Sequence, residues 1–403
     1  MYSLRSKELY RFYILTFIDG IARGITTFWA IFLVDLKGNI FDVALLSFLP
    51  GLTSTLMQPS WGIVTTNHSR NKQLWIVDYF IIAAHALLFI FATAPWQVIL
   101  ICTIMNLFAA PFGLASSLFY VSALKPEIRA RFMSIYSSMG WLGVMLGSLM
   151  AGYLIQGYGY TSSFIIYSVL NVICALMVLR FKEVEQKVDN TPLEQLFKDA
   201  FTNVKKAYSE LPTWLREEKD YTTYCIGIAV RGLGLAMVGP IFTIYLTENL
   251  QANSVQIGGL SALSSFVRMI ATPVLGWIAD MRSRKQIFLL GVLLAMIHPF
   301  LYVTRTTIGQ LYPLYVMNGF FWACIESVWF AWQTDILPSK RGIYMAVLNF
   351  FNGTEWAIGP LVGSFIGEQF GFIFATGVSA VAIGLGFWRL IKAPEHFKPS
   401  DNS

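Results

Sequence analysis

Twelve long apolar runs dominate this chain of 403 residues. A helix that crosses a membrane needs about 20 consecutive, mostly apolar residues, and each run is close to that length. The strands of a membrane barrel are about half as long and alternate apolar with polar residues, whereas these runs are continuous. The sequence therefore predicts an all-α integral membrane protein. The predicted transmembrane helices, numbered 1 to 12, comprise residues 12–34, 43–64, 74–93, 96–121, 132–155, 161–180, 222–246, 256–279, 286–304, 308–332, 343–366 and 370–391.

Charged residues are scarce and unevenly placed. They make up 13% of the chain, whereas soluble domains carry about 25%. Residues 182–220 alone hold 16 of the 52 charged side chains. A single soluble core stops growing near about 250–300 residues, so it would not bury this much apolar sequence. These proportions argue against a soluble enzyme, a nucleic-acid-binding protein and a disordered chain.

Lysine and arginine predict the orientation, because they are concentrated in the cytoplasmic loops of membrane proteins. If the N-terminus is cytoplasmic, 24 of the 29 basic residues lie on cytoplasmic segments, and only Lys37 and Arg305 lie outside. We therefore expect a multi-pass protein of the cell membrane with both termini in the cytoplasm. This asymmetry accounts for the net charge of +6, so we expect no nucleic-acid partner.

The two halves of the sequence repeat. An offset of 212 residues runs without a gap from Pro126 and Pro338 to Gly159 and Gly371, and an offset of 214 aligns the loops after helices 2 and 8. Parallel repeats of this kind are typical of transporters whose halves are related by an axis along the membrane normal. We predict a six-helix bundle over residues 1–181, a cytoplasmic linker over 182–220 and a second six-helix bundle over 221–403.

The linker contains its own helix signal. Residues 191–194 read Thr-Pro-Leu-Glu, which is a capping box with proline at the first helical position. Apolar residues then recur at helical spacing up to Tyr208, with lysines and acids between them. This pattern predicts an amphipathic helix at the cytoplasmic surface. It either braces the two halves or binds a regulatory partner.

One loop motif resembles a known family. Residues 276–285 read Gly-Trp-Ile-Ala-Asp-Met-Arg-Ser-Arg-Lys and resemble the G-x-x-x-D-x-R-x-R-[RK] loop of the major facilitator superfamily. The resemblance implies two six-helix bundles and transport by alternating access. The first-half copy, residues 62–70, has no acid at the counterpart of Asp280, and residues 335–342 resemble the loop before helix 11. By this resemblance, the residues assigned to conformational change are Gly62, Arg70, Gly276, Asp280, Arg284, Asp335 and Arg341.

Six ionisable residues lie in the middle of predicted helices. Each costs at least about 2.5–3.5 kcal/mol at the centre of a bilayer, so each is a functional candidate. The family fold implies that all six lie on helices that line or flank the central cavity. We expect Asp19 to pair with Arg23 four residues later, and Arg268 to match Glu355 in depth. The alternative is that all are structural ion pairs. The six are Asp19, Arg23, Arg231, Arg268, Glu326 and Glu355.

Three of these acids are candidates for proton coupling, with Asp19 and Glu355 first and Glu326 next. An acid that moves between a dry site and an arginine changes its proton affinity, which is what coupling requires. Polar and aromatic residues on helices 1, 7, 8, 10 and 11 are candidates for the substrate cavity. The predicted cavity residues are Arg23, Arg231, Arg268, Trp29, Trp322, Trp329, Asn349, Asn352 and Trp356.

These features favour a proton-coupled secondary transporter that moves a small amphipathic solute, with export preferred. The glycine-rich helix 5 resembles that of exporters in the family, although Ser148 stands where their motif has proline. One alternative is a transporter of organic anions or phosphate esters that clamps its substrate with Arg23 and Arg231. A lipid scramblase is a further alternative. The chain has no HExxH or GxSxG motif, so we expect no enzyme, metal or cofactor. The expected partners are the solute, protons and the lipid bilayer, and the protein is expected to be a monomer.

Overall fold

The computed structural model consists of helices joined by short loops. It describes residues 6–68, 70–109, 113, 115–116, 119, 126–181, 191–217, 219–336 and 341–395. No strand occurs within these ranges, and the predicted all-α fold is confirmed. Nine helices in the described part of the chain are long and apolar enough to cross a membrane, so the chain is a multi-pass membrane protein.

The helices follow the predicted order, and most of them extend beyond the predicted apolar runs. Helix 1 is interrupted by a single 3-10 turn, and helix 7 ends in a π-helical turn. Helix 1 comprises Ser6–Ile25, Thr26–Phe28 and Trp29–Asp35. The other helices of the first half are Ile40–Asn67 (helix 2), Asn71–Phe89 (helix 3), Pro95–Ala109 (helix 4), Pro126–Tyr158 (helix 5) and Tyr160–Leu179 (helix 6), followed by the linker helix Leu193–Glu217. The second half contains Lys219–Ile244 with Tyr245–Asn249 (helix 7), Ser254–Met281 (helix 8), Arg284–Val303 (helix 9), Tyr312–Ile336 (helix 10), Arg341–Phe370 (helix 11) and Phe372–Ile391 (helix 12).

Helices 4, 10 and 11 are not among the nine that meet both criteria for crossing a membrane. Helix 4 is described continuously only to Ala109, and most of its remaining predicted run lies outside the described residues. Helices 10 and 11 have 25 and 30 residues, which exceeds the length that a bilayer requires. Their positions match the prediction, and the loop between them lies outside the described ranges.

The same local geometry recurs in both halves of the chain. Asn39 caps helix 2 by accepting hydrogen bonds from backbone amides, and Asn253 caps helix 8 in the same way, 214 residues later. Gly159 and Gly371 precede helices 6 and 12 with φ angles of 76° and 85°. Residues with a Cβ rarely adopt such angles, so glycine is favoured at both positions. The internal repeat is therefore visible in the backbone.

The two ends of the bundle differ in how the halves meet. We call the end that carries the linker helix the linker side, and the opposite end the far side. On the far side, both halves contribute to one apolar core, and the Ser148 hydroxyl of helix 5 lies 3.1 Å from the Ser261 hydroxyl of helix 8. Buried members of this shared core include Phe28, Ile31, Leu33, Ile241, Ile244, Ile257 and Leu260.

On the linker side, the described residues form separate cores. One surrounds Phe12, Trp75 and Phe181 and draws only on the N-terminal half. Another surrounds Tyr224 and Trp332, and its buried residues belong to the C-terminal half. The halves are therefore packed together on the far side and have independent cores on the linker side.

The predicted amphipathic linker helix is present and lies along helix 2. The ring of Phe197 meets Trp61 edge to face, with 5.0 Å between centroids. Farther along, the Tyr208 hydroxyl donates to the backbone carbonyl of Leu56 at 3.2 Å, and its ring lies 5.7 Å from Phe350 of helix 11. One face of the linker helix therefore contacts both halves.

Small residues allow helices 1 and 5 to pack with almost no space between their backbones. A Cβ at Gly143 would lie 2.9 Å from both the Cα of Gly20 and the backbone nitrogen of Ile21. Gly147 faces Ile21 in the same way, one turn later. Close approach of this kind is the usual role of small residues between membrane helices. Here it fixes the position of helix 5, which also packs against helix 8 of the other half.

We predict that Gly143→Ala destabilises the protein, because the added Cβ meets backbone atoms that have no room to move. Overpacking of a tight contact typically costs about 1–3 kcal/mol. The measurement is the thermal unfolding midpoint in detergent, together with the folded yield. Gly377→Ala is the matched control, since a Cβ at this helical glycine has no neighbour within 4 Å. Equal behaviour of the two variants would contradict the packing described here.

Candidate functional site

A cavity of about 230 Å³ lies in the C-terminal half, at mid-height of the bundle. Sites for drug-sized ligands usually measure about 300–1,000 Å³. This cavity is therefore somewhat smaller than such a site. Helices 7, 10 and 11 form its walls. The lining residues are Arg231, Trp322, Ile325, Glu326, Trp329, Asn352 and Trp356.

On each of helices 10 and 11, the spacing of the lining residues places them on one face of the helix. Trp322, Glu326 and Trp329 lie four and three residues apart on helix 10, and Asn352 and Trp356 lie four apart on helix 11. The rings of Trp322 and Trp356 are nearly parallel, with centroids 6.0 Å apart. The cavity therefore presents aromatic walls together with three polar side chains, those of Arg231, Glu326 and Asn352.

The first ion pair at this cavity joins Arg268 to Glu326. Arg268 Nη2 lies 2.8 Å from Glu326 Oε1. The guanidinium also lies over two indole rings, 3.9 Å from Trp141 and 5.0 Å from Trp322. The second oxygen of Glu326 has no hydrogen-bond partner among the described residues. Glu326 thus combines a fixed arginine contact with an oxygen that can accept a hydrogen bond from a ligand.

The second ion pair joins Arg231 to Glu355 and is buried more deeply. The two side chains are 3% and 1% exposed, and Arg231 Nη2 lies 3.8 Å from Glu355 Oε1. Neither oxygen of Glu355 makes a hydrogen bond within the described part of the chain. The carboxylate lies against Gly232, where any Cβ would overlap it. This pair is therefore held by packing and charge with no direct hydrogen bond.

The third ion pair lies within helix 1. Arg23 Nε is 2.9 Å from Asp19 Oδ2, as the spacing of four residues predicts. The Tyr79 hydroxyl of helix 3 lies 3.5 Å from Asp19 Oδ1. The arginine side chain is 49% exposed, so this pair is less enclosed than the Arg231 pair.

Arg268 and Glu355, which the sequence places at the same depth, do not pair with each other. Each residue has a different partner, Glu326 for Arg268 and Arg231 for Glu355. Similar depth along the membrane normal allows several partners. Which one is reached depends on how helices 7, 8, 10 and 11 are rotated and packed.

Five of the nine predicted cavity residues line the cavity, namely Arg231, Trp322, Trp329, Asn352 and Trp356. Arg268 lies next to it, through Glu326 and Trp322. Three others lie elsewhere. Arg23 pairs within helix 1, Trp29 packs against His85, Phe89 and Tyr167 in the N-terminal half, and Asn349 lies on helix 11, one turn before Asn352.

The loop motif after helix 8 forms a local ion pair. Asp280 Oδ1 lies 2.9 Å from Arg284 Nη2 across the break between helices 8 and 9, and Gly276 precedes it by one turn. In the first half, Gly62 lies near the end of helix 2, and Arg70 directly precedes helix 3. The side chains of Asp335 and Arg341 lie outside the part of the structure that is described.

A carboxylate of the linker helix lies beside the first-half motif, which has no acid of its own at the counterpart of Asp280. His68 Nε2 lies 3.5 Å from Asp199 Oδ2, and its other ring nitrogen lies 3.4 Å from the Thr191 hydroxyl. Sequence reasoning missed this contact, because Asp199 is far from the motif in sequence. A carboxylate does face this loop, but it comes from outside the N-terminal bundle.

Sequence reasoning also missed Trp141, and it noted Asp78 on helix 3 without assigning it to the site. Trp141 stands directly after Gly140 on the helix 5 strip of small residues, and a single large ring there was the available signal. Asp78 of helix 3 is 1% exposed, and its oxygens have no hydrogen-bond partner among the described residues. The same part of the chain contains no group of three or more His, Cys, Asp or Glu residues placed to hold a metal ion.

Comparison with known protein families gives one match that spans the chain. The family model described as the Major Facilitator Superfamily matches residues 12–216 and 224–403. The matched ranges include every helix that contributes to the cavity and to the three ion pairs. They also include the loop motif after helix 8.

Curated relatives match over a shorter length. An uncharacterised MFS-type transporter of Methanocaldococcus jannaschii, MJ1560, is 23% identical over 39% of this chain and 42% of its own length. The quinolone resistance protein NorA of Staphylococcus aureus is 25% identical over 37% of this chain and 39% of its own length. The matches therefore cover about two fifths of these relatives.

Solved structures match over nearly the whole fold. The nucleoside transporter NupG has a TM-score of 0.69 at 16% identity and covers 96% of this chain and all of its own. A bacterial homologue of the human lysosomal transporter Spinster, in an inward-facing and occupied conformation, has a TM-score of 0.71 at 12% identity. It covers 98% of this chain and 97% of its own. At these identities the likeness concerns the fold alone.

We predict that Glu355→Ala destabilises the protein by about 3–5 kcal/mol, because it leaves the buried Arg231 without a carboxylate. The double variant Arg231→Met, Glu355→Leu is expected to recover most of that loss, since it removes both charges and keeps the volume. The measurement is the unfolding midpoint in a detergent and denaturant titration.

Asp280→Asn serves as the control, because this carboxylate is 55% exposed. Exposed pairs contribute about 0–1 kcal/mol, so its unfolding midpoint should stay near that of the wild type. A Glu355→Ala variant as stable as Asp280→Asn would show that the Arg231 pair does not contribute to stability in the way its burial implies.

Proposed function

Because this chain belongs to the major facilitator superfamily and is therefore a membrane transporter, we propose that it exports small amphipathic aromatic solutes in exchange for protons. Members of the superfamily are transporters and not enzymes, so the cavity is a binding site and not a catalytic one. The observation that carries the proposal is the cavity of three tryptophans around Glu326. The solute, the protons and the bilayer are the partners of this reaction.

Aromatic walls favour a flat ligand. The stacked Trp322 and Trp356 rings offer a surface to a planar group, and ring faces also attract cations. The unpartnered Glu326 oxygen provides an acceptor for a ligand N–H or ammonium group. The relative NorA is named a quinolone resistance protein, which agrees with this chemistry. It supports a drug-like aromatic solute, although the match covers only part of that relative.

Glu326 is the acid that we place first for proton coupling. It lines the cavity and holds Arg268 at 2.8 Å, so a proton and a solute would compete for the same carboxylate. Protonation removes the charge that fixes the arginine, and solute binding replaces the proton. Glu355 and Asp19 are the next candidates, because each holds an arginine on a helix next to the cavity or the interface between the halves.

The direction of transport is proposed from the shape of the bundle. The halves share a core on the far side and have separate cores on the linker side, so the cavity is approached from the linker side. We place the linker side and both termini in the cytoplasm of a cell membrane, because most of the lysines and arginines lie there. Rocking of the halves would then carry the solute outward. We expect a monomer to perform this cycle.

The alternative anion clamp has less support. Arg23 and Arg231 each have an acid partner in their own half, at 2.9 Å and 3.8 Å. An arginine whose charge is already balanced offers little additional attraction to an anion. The paired acids therefore favour a neutral or cationic solute over a phosphate ester.

We predict that purified protein in liposomes takes up ethidium or a fluorescent fluoroquinolone when the lumen is acidic, and that a protonophore abolishes the uptake. Glu326→Gln should lower the rate about 10- to 100-fold, since a hydrogen bond to a charged group contributes about 1.5–3 kcal/mol. Initial rates of fluorescence change provide the measurement.

Glu368→Gln is the matched control, because Glu368 is an exposed acid near the far end of helix 11. Its rate should match that of the wild type. Uptake of phosphate esters without any response to the pH gradient would favour the anion clamp and contradict the proposal. Movement of labelled lipid with no ion gradient would instead indicate a scramblase.

A further inference from the structure

The cavity belongs to the C-terminal half, but one side chain of the N-terminal half reaches its charged group. Trp141 lies on helix 5, and its ring centroid is 3.9 Å from the guanidinium carbon of Arg268 on helix 8. The same guanidinium carbon lies 5.0 Å from the ring centroid of Trp322 on helix 10. Arg268 is thus held between an aromatic ring from each half while it pairs with Glu326.

The residue before Trp141, Gly140, contacts the charged pair of its own N-terminal half. A Cβ at Gly140 would lie 2.9 Å from Arg23 Nη2, so this arginine passes directly over the helix 5 backbone. Two successive residues of helix 5 therefore contact two arginines, Arg23 of the N-terminal half and Arg268 of the C-terminal half.

This contact belongs to the interface that closes the far side. Two turns farther along helix 5, the Ser148 hydroxyl lies 3.1 Å from Ser261 of helix 8. One turn later, Gly152 approaches the backbone of Ser254. Of these contacts between helices 5 and 8, the one between Trp141 and Arg268 lies nearest the cavity. A change at Arg268 therefore acts at the cavity end of the interface between the halves.

We propose that Trp141 is a positioning residue that couples the state of the Arg268–Glu326 pair to the rocking of the two halves. While Glu326 holds Arg268, the guanidinium stays under the Trp141 ring and helices 5 and 8 remain together. When a proton or a solute occupies Glu326, Arg268 leaves the ring and the interface loosens. The role of proton and solute in this step rests on the proposed function, whereas the contact itself does not.

The size of the effect follows from the kind of contact. An arginine over an indole ring that is removed from water contributes enough to change an equilibrium about tenfold or more. Loss of the ring should therefore shift the balance between far-side-closed and far-side-open bundles by about that factor. Trp141→Phe keeps a weaker ring and should give a smaller shift, whereas Trp141→Leu keeps bulk and removes the ring.

The test measures the distance between the halves directly. Spin labels at Leu179 of helix 6 and Met281 of helix 8 report on the linker side, since each is 50% exposed at the end of its helix. The four native cysteines, all buried, are replaced by alanine. We expect Trp141→Leu to enrich the shorter label distance about tenfold, because opening of the far side closes the linker side.

Trp388→Leu is the matched control. Its ring also holds a cation at 3.9 Å, Lys392, but it lies on the exposed face of helix 12. This variant should keep the wild-type distance distribution. An unchanged distribution in Trp141→Leu, or an equal change in Trp388→Leu, would overturn the inference. If Trp141→Leu does not fold, Trp141→Phe and Trp141→Tyr give the same comparison.

A double variant separates coupling from a purely structural effect. If Trp141 acts through the pair, Trp141→Leu should add no further shift in a Glu326→Gln background, whereas independent effects would add. Trp141→Leu should tighten ethidium binding by no more than this shift of about tenfold, because solute binding and loss of the ring favour the same state of the bundle. Failure of the wild type to transport any probe would sink the proposed function, but the distance measurement would still decide the role of Trp141.

Discussion

The cost of placing a charge inside a membrane organises the centre of this protein. Three arginines lie in mid-helix, and each has one acid partner, Asp19 for Arg23, Glu355 for Arg231 and Glu326 for Arg268. An unpaired arginine at this depth would cost at least about 2.5–3.5 kcal/mol. The pairs leave the centre of the bundle without net charge from these six residues, so a cavity with polar groups can exist there.

The three pairs differ in their surroundings, and these differences suggest different roles. The Arg231 pair is enclosed and fits against a glycine, which suits a fixed structural element. The Asp19 pair lies within one helix, and its arginine side chain is 49% exposed. Glu326 of the Arg268 pair lines the cavity, as Arg231 does, and Arg268 also lies over a ring from the other half. A group that senses a ligand must meet both the ligand and a moving part, and this pair meets both.

Small residues supply the second constraint. Helix 5 approaches helix 1 through Gly140, Gly143 and Gly147, and it approaches helix 8 through Ser148 and Gly152. Helix 5 therefore belongs firmly to its own half while it also forms the contact with the other. Without side chains between the backbones, a small displacement at one place is carried along the helix, because close-packed interfaces are bistable and do not deform gradually. The position of Trp141 on this helix places an aromatic contact at the end of that interface.

The sequence by itself determined the twelve helices, the internal repeat, the loop motif and the Asp19–Arg23 pair, because all of these depend on spacing along one chain. It also identified the six mid-helix charges and most of the residues that line the cavity. Only the tertiary structure decided which partners Arg268 and Glu355 would meet, Glu326 and Arg231, since depth along a helix does not specify its rotation or its neighbours. The same reason placed Trp29 away from the cavity, brought Asp199 of the linker to His68, and set Trp141 over an arginine of the other half.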